Sequence, residues 1–119
     1  MDPKELNFSL LHIGINTTGA EEGYAIANTL VDLFGFPMRD GNSSIFVNDQ
    51  FEVMKKPFRG KLGHIAISTS DIVKAKAYLE SKGIAFAEET AGYDADGKLK
   101  VIYTVDDIAG FAFHLTQKG

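Results

Sequence analysis

Over residues 10–16 apolar side chains alternate with small or polar ones, which predicts a half-buried strand with Leu11, Ile13 and Ile15 on one face and His12, Gly14 and Asn16 on the other. Thr17, Thr18 and Gly19 interrupt the alternation. Thr18 is expected to cap a helix whose first turn carries Glu21 and Glu22, and Ala25, Ile26, Leu30, Val31, Leu33 and Phe34 then recur at helical spacing up to a terminating Gly35. The helix is predicted over 20–34. A short strand over 36–39 follows, with Pro37 tolerated at its edge, then a turn over 40–44 and two strands over 44–47 and 50–55 joined by Asn48 and Asp49. In the last strand Phe51 and Val53 share one face, and Glu52 and Met54 share the other.

The same order then returns. Gly63-His64-Ile65-Ala66-Ile67-Ser68 is a near copy of Leu11-His12-Ile13-Gly14-Ile15-Asn16, and the closing Phe113-His114-Leu115-Thr116-Gln117-Lys118 matches Phe51-Glu52-Val53-Met54-Lys55-Lys56. Between them the pattern predicts a helix over 71–82, capped by Thr69 or Ser70 and stopped by Gly83, and strands over 84–88, 99–105 and 111–117. In the last of these, Phe111, Phe113 and Leu115 face the core and Ala112, His114 and Thr116 face away. The organisation is therefore a lead-in over 1–9 with little to anchor it, a first βαβββ module over 10–56, a linker over 57–62 and a second βαβββ module over 63–119. Two such modules side by side make an α+β fold, a curved, cup-like mixed sheet with the helices outside.

A chain of 119 residues without cysteine suits one domain built on an ordinary apolar core, and the lack of cysteine fits a reducing compartment. The first residues lack the basic and apolar runs of a secretory signal, and no apolar run approaches the roughly 20 residues that cross a bilayer. A cytoplasmic protein that engages no membrane is expected. The formal charge of −4, with its basic residues dispersed, argues against nucleic acid as a partner.

The parity of the four matched strands carries the chemistry. The chain has three histidines, and His12, His64 and His114 all occupy matched positions, with Glu52 at the fourth. All four fall on the predicted concave face beside Gly14, Ala66 and Ala112, whose small side chains leave volume. Three imidazoles and a carboxylate form a donor set for zinc, nickel, iron or manganese. Tyr103, Lys100 and Arg39 are candidates for contacting an anionic substrate, as are Lys55 and Lys56. Asp94-Ala95-Asp96-Gly97 lacks the spacing and closing Glu of a calcium loop and reads as a hairpin turn.

The double module, the two openings His12-Ile13-Gly14-Ile15 and His64-Ile65-Ala66-Ile67 and the two closing strands resemble the vicinal oxygen chelate superfamily, over residues 9–118. That superfamily includes glyoxalase I, extradiol dioxygenases and bleomycin-resistance proteins. Residues 34–37, 41–46 and 51–55 are similar to the glyoxalase-like domain found with 2-keto-3-deoxy-6-phosphogluconate and 2-keto-4-hydroxyglutarate aldolases. The chain is too short to be an aldolase barrel itself. By position the resemblance implies that His12, Glu52 and His64 hold a divalent metal. His114 stands where the superfamily usually has glutamate, and is a fourth ligand, a general acid or base, or a filler.

The implied function is a metal-dependent lyase or isomerase of the glyoxalase type, acting on a small hydroxy-carbonyl or keto-acid compound with Glu52 and His114 at the chemistry. An iron dioxygenase using the same ligands ranks below it. The alternative is a metal-free small-molecule binding or regulatory module associated with sugar-acid aldolases. A homodimer is expected, and the linker leaves open whether modules pair within or between chains.

Overall fold

The computed structural model describes residues 1–119. After a short 3₁₀ turn (Pro3–Leu6) the first half runs β1 (Ser9–Ile15), α1 (Ala20–Phe34), β2 (Met38–Asp40), β3 (Ser44–Val47) and β4 (Phe51–Met54). The second half runs β5 (Gly63–Thr69), α2 (Ile72–Ser81), β6 (Phe86–Tyr93), β7 (Leu99–Thr104) and β8 (Phe111–Gln117). All eight strands join one mixed sheet in the order β2-β3-β4-β1-β5-β8-β7-β6. Read outward from the centre, β1-β4-β3-β2 and β5-β8-β7-β6 are the same sequence of strands, so the repeat in the residues is a repeat in the topology. The two halves meet where β1 and β5 pair antiparallel, and within each half the opening and closing strands pair parallel.

Register decides which side chains share a face. On one face Ile15, Val53 and Ile45 line up across β1, β4 and β3, and Ile67, Leu115 and Ile102 line up across β5, β8 and β7. Ala27 of α1 packs on the first set, and Ile72 and Ala75 of α2 pack on the second, so both helices cover the same side of the sheet. The other face collects Phe46, Glu52, Gly14, His64 and Ala112 in one cross-strand row, and His12, Ala66, His114 and Tyr103 in the next. Burial of the helix-side face holds the rows in place, because a one-residue slip would turn every one of these side chains to the opposite layer.

Some local expectations are corrected. Leu11 is the extra residue of a β-bulge in the β1–β5 pairing, so upstream of it the parity flips: Leu10 lies opposite Ile67, and both Leu10 and Leu11 are exposed. His12 lies after the bulge and keeps its expected face. The cap of α1 is Gly19 and not Thr18, whose N–H is taken by Glu22 Oε1 at 3.0 Å. The cap of α2 is Asp71, which accepts from Lys74 N–H, because Thr69 Oγ1 and Ser70 N–H are both donated to Leu6 C=O. Those bonds anchor the lead-in: Leu6 is 2% exposed and belongs to the α2 core. Strand β6 extends to Tyr93, beyond the expected 84–88, because Asp94 closes a tight hairpin by accepting from Asp96 N–H and Lys98 N–H.

Candidate metal centre

β1, β4, β5 and β8 are adjacent in the sheet, and each contributes one side chain to a cluster on the face away from the helices. His12 Nε2 lies 3.1 Å from His64 Nε2. Glu52 Oε1 completes a triangle, 2.9 Å from His64 Nε2 and 3.3 Å from His12 Nε2. The ligand atoms of His12, His64 and His114 all lie within 4.8 Å of one another. His64 and His114 are buried, 2% and 6% exposed, while His12 is half-buried.

Gly14 makes this placement possible. It sits beside His64 in the cross-strand row, and a Cβ there would come 2.1 Å from His64 Cε1 and 2.2 Å from Nδ1. The imidazole therefore lies flat in space that any other residue would fill. Ala66, between His12 and His114, keeps the second row open in the same way. Phe46 packs edge-on against the His12 ring at 5.8 Å and closes the outer side of the cluster.

Glu52 is held ionised. Burial by itself would raise its pKa, but hydrogen bonds from His12, His64 and Ser44, with the electrostatic effect of the nearby His64, outweigh burial and keep it well below the usual carboxylate range. The Ser44 hydroxyl donates to Oε2 at 2.7 Å, leaving Oε1 for the imidazoles. His114 moves down to about 4, first because it is desolvated and then because His64 and His12 are near, so it is a neutral imidazole at physiological pH. Its Nδ1 is 3.0 Å from Thr116 Oγ1, which fixes the ring. The Tyr103 ring lies tilted against His114 with centroids 4.7 Å apart, and burial followed by the Glu52 charge pushes its phenol up to about 12, so it stays a hydrogen-bond donor.

The His114 shift predicts an acid-sensitive fold. A folded-state value of about 4 lies below the unfolded value of 6.5, so between those pH values the unfolded chain binds a proton that the folded chain does not. Stability of the metal-free protein should fall by up to about 3 kcal/mol as the pH drops through that window, Glu52 adding a loss of the same sign below its own unfolded value. Urea midpoints at pH 7 and 4.5 measure it. The His114→Gln variant should be the less acid-sensitive, and equal slopes for both proteins would show that His114 is not the group responsible.

A divalent ion fits this donor set. Ligands at about 2.0–2.2 Å from one ion stand roughly 3.0–3.5 Å apart, close to the spacing of the three converging atoms. Against that, His64 Nδ1 is buried without a partner, whereas an imidazole holding a metal commonly donates its second N–H.

Of the other candidates, Tyr103 lies at the site and two do not. Lys100 stands three residues before Tyr103 on β7, at a register shift in the β6–β7 pairing where Gly92 lies opposite Val101 and Tyr93 opposite Leu99, and it is exposed and outside the lining of the cavity beside Glu52, His64 and Tyr103. Arg39 has the right parity but sits on edge strand β2, its guanidinium 3.1 Å from Asp49 and stacked over Phe46, which separates it from His12. Lys55 is engaged by Asp40, Tyr24 and Gly41 C=O. Sequence reasoning missed Ser44 and Thr116 as supports. Thr116 was open to parity, since it follows His114 by two on the same strand; Ser44 required the β3–β4 register.

No protein-family model and no curated protein sequence matches the chain. Solved structures do. A hypothetical protein, BH1468, from Bacillus halodurans C-125 superposes with a TM-score of 0.65 at 18% identity, covering 94% of this chain and 95% of its own. Methylmalonyl-CoA epimerase from Mycobacterium tuberculosis gives 0.63 at 18% identity over 92% of this chain and 87% of its own. A methylmalonyl-CoA epimerase in complex with methylmalonyl-CoA and ammonium gives 0.59 at 15% identity, covering 92% and 94%. With the doubled βαβββ sheet already established, these likenesses identify the fold as the glyoxalase-like, vicinal oxygen chelate fold.

Proposed function

We propose that the protein is a glyoxalase-like, metal-dependent isomerase or lyase acting on a small hydroxy-carbonyl or keto-acid compound. His12, Glu52 and His64 hold a divalent ion (zinc, nickel, iron or manganese), with His114 as fourth ligand or proton carrier. The observation that carries this reading is the contact triangle of two Nε2 atoms and one carboxylate oxygen, with sides of 2.9, 3.1 and 3.3 Å. An ion held there supplies Lewis-acid stabilisation of charge developing on adjacent substrate oxygens. The residues supply the rest. Glu52 stays anionic and fixes both imidazoles; Tyr103 donates a hydrogen bond to a substrate oxygen. His114, neutral and oriented by Thr116, accepts or returns a proton at the carbon beside a bound carbonyl. The existence of an epimerase with this fold supports the isomerase class.

The test is elemental analysis of protein purified without an affinity tag, before and after stripping and reconstitution with each of the four metals. About one ion per chain is expected. No stoichiometric metal after reconstitution sinks the reading in favour of a metal-free small-molecule binding or regulatory module, of the kind that accompanies sugar-acid aldolases. The unpartnered His64 Nδ1 favours that second reading, since an imidazole holding a metal commonly donates its second N–H to a partner. The homodimer belongs to the first reading. Leu33, Phe34 and Met38 leave exposed apolar surface at the end of α1 and on edge strand β2, and light scattering on the same sample is expected to give twice the 13.0 kDa chain mass.

A further inference from the structure

The segment that joins the two halves does not simply cross the sheet; it is tied over the mouth of the site. Asn16, at the end of β1, donates from Nδ2 to Phe58 C=O at 3.1 Å and to Gly60 C=O at 2.9 Å, and its Oδ1 accepts from Phe58 N–H at 3.1 Å. Gly60 lets the segment press against β5. Its φ is +88°, and a Cβ there would lie 1.9 Å from Gly63 C=O and 2.7 Å from Ala112 N. One asparagine side chain thus substitutes for the backbone ladder that an irregular segment lacks.

This clamp sets three side chains around the opening. Phe58 meets the Tyr103 ring edge-on at 5.8 Å, and the Arg59 guanidinium lies over the same ring at 5.6 Å. Lys56 lines a cavity of about 310 Å³ together with Met54, Phe58 and Tyr103, with Glu52 and His64 also in its wall. Arg39, Lys55 and Lys76 each have a carboxylate within ion-pair distance, but Lys56 and Arg59 have none. In an acidic protein, two cations without counter-ions are therefore held beside a cavity whose wall carries the cluster's own carboxylate.

We propose that residues 56–60 form the specificity rim of this site. Lys56 and Arg59 capture a second anionic group, a carboxylate, of a substrate whose paired oxygens sit at His12, Glu52 and His64, and Asn16 is the positioning residue that holds the rim in place. The inference rests on the metal-site reading above and adds the substrate class: a small 2-oxo or 2-hydroxy acid with a distal carboxylate. Apolar Phe58 and Met54 accept the carbon chain between the two anionic ends. The cations sit at the wet margin, where they attract an anion without the cost of burying a bare charge.

A matched pair of probes tests this: 2-oxoglutarate, which has the distal carboxylate, and 2-oxopentanoate, which replaces it with a methyl group. Both are titrated at low ionic strength into cobalt-loaded and metal-free protein. Cobalt-loaded wild type should bind 2-oxoglutarate about tenfold more tightly, the scale of one charge-assisted contact at a partly solvated site. The Lys56→Ala/Arg59→Ala double variant should bind the two acids within about twofold of each other, with cobalt affinity and melting temperature as in wild type. Asn16→Ala should lose the same preference while keeping both cations, a result that charge alone does not explain. Equal affinities in wild type, or a preference that survives the double variant, would overturn the proposal. A wild type that binds no cobalt defeats the metal reading instead, and the metal-free titration then decides the rim by itself: a cation-dependent preference sustains it and equal affinities end it.

Discussion

Replacing Gly14 by alanine should disable the site from a position that offers no ligand at all. The backbone at Gly14 is an ordinary strand, so alanine is not penalised for its conformation. The obstacle is the His64 ring, whose Cε1, Nδ1 and Nε2 would lie 2.1, 2.2 and 2.6 Å from the new Cβ. Either the ring leaves or β1 and β5 separate, and the antiparallel pairing of Ile13 with Ile65 and Ile15 with Gly63 resists separation. The ring is expected to leave, breaking both its contact with Glu52 and its contact with His12. Stability should fall by about 1–3 kcal/mol, the usual cost of overpacking, and metal affinity by roughly a hundredfold or more. A double-mutant cycle isolates the cause. In a His64→Ala background the added methyl meets no ring, so Gly14→Ala should then cost close to nothing, and the coupling energy should account for nearly the whole single-mutant effect. Additive effects would mean that Gly14 serves the strand and not the histidine.

Much of this arrangement was legible before any coordinates. Strand side chains alternate with a period of two, so His12 with Gly14 and His64 with Ala66 declare a histidine beside a small residue on one face, and the repeat places both at the same depth of the sheet. Helix α1 matches its predicted 20–34 because a glycine in the left-handed conformation ends it at Gly35, a signal carried by one residue type. What stayed hidden depends on partners far along the chain. The Leu11 bulge is a property of the pairing with β5 and not of β1 alone. Thr69 and Ser70 look like helix caps until Leu6 C=O, more than sixty residues earlier, claims both. Lys100 is a miss of the same kind. Side chains three apart on an unbroken strand face opposite ways, but Lys100 falls at a register shift that belongs to the pairing of β7 with β6, so parity read from β7 alone does not place it.

The largest effect of all is expected at His64 itself. His64→Ala should abolish metal binding and leave the fold standing, although a ring only 2% exposed ordinarily marks a structural residue. The reason is where the ring is buried. It belongs to the row of Glu52, Gly14 and Ala112 on the face away from both helices, while the apolar contacts of β5 are made by Ile65 and Ile67 on the other side. Its loss takes one hydrogen bond from Glu52, which keeps the Ser44 hydroxyl and the His12 imidazole. It also removes a buried, unpartnered Nδ1. The stability cost should therefore stay below the 2–5 kcal/mol typical of emptying a helix-packed core position, at about 2 kcal/mol or less. The loss in binding is much larger, because His64 is the most buried corner of the triangle and makes its two shortest sides, 2.9 Å to Glu52 and 3.1 Å to His12. Calorimetric titration with zinc and urea unfolding on the same preparations separate the two roles. Retained zinc affinity in the variant would remove His64 from the ligand set. A variant that unfolds, beside a wild type that takes up no metal, would make the histidine a structural residue and end the enzymatic reading.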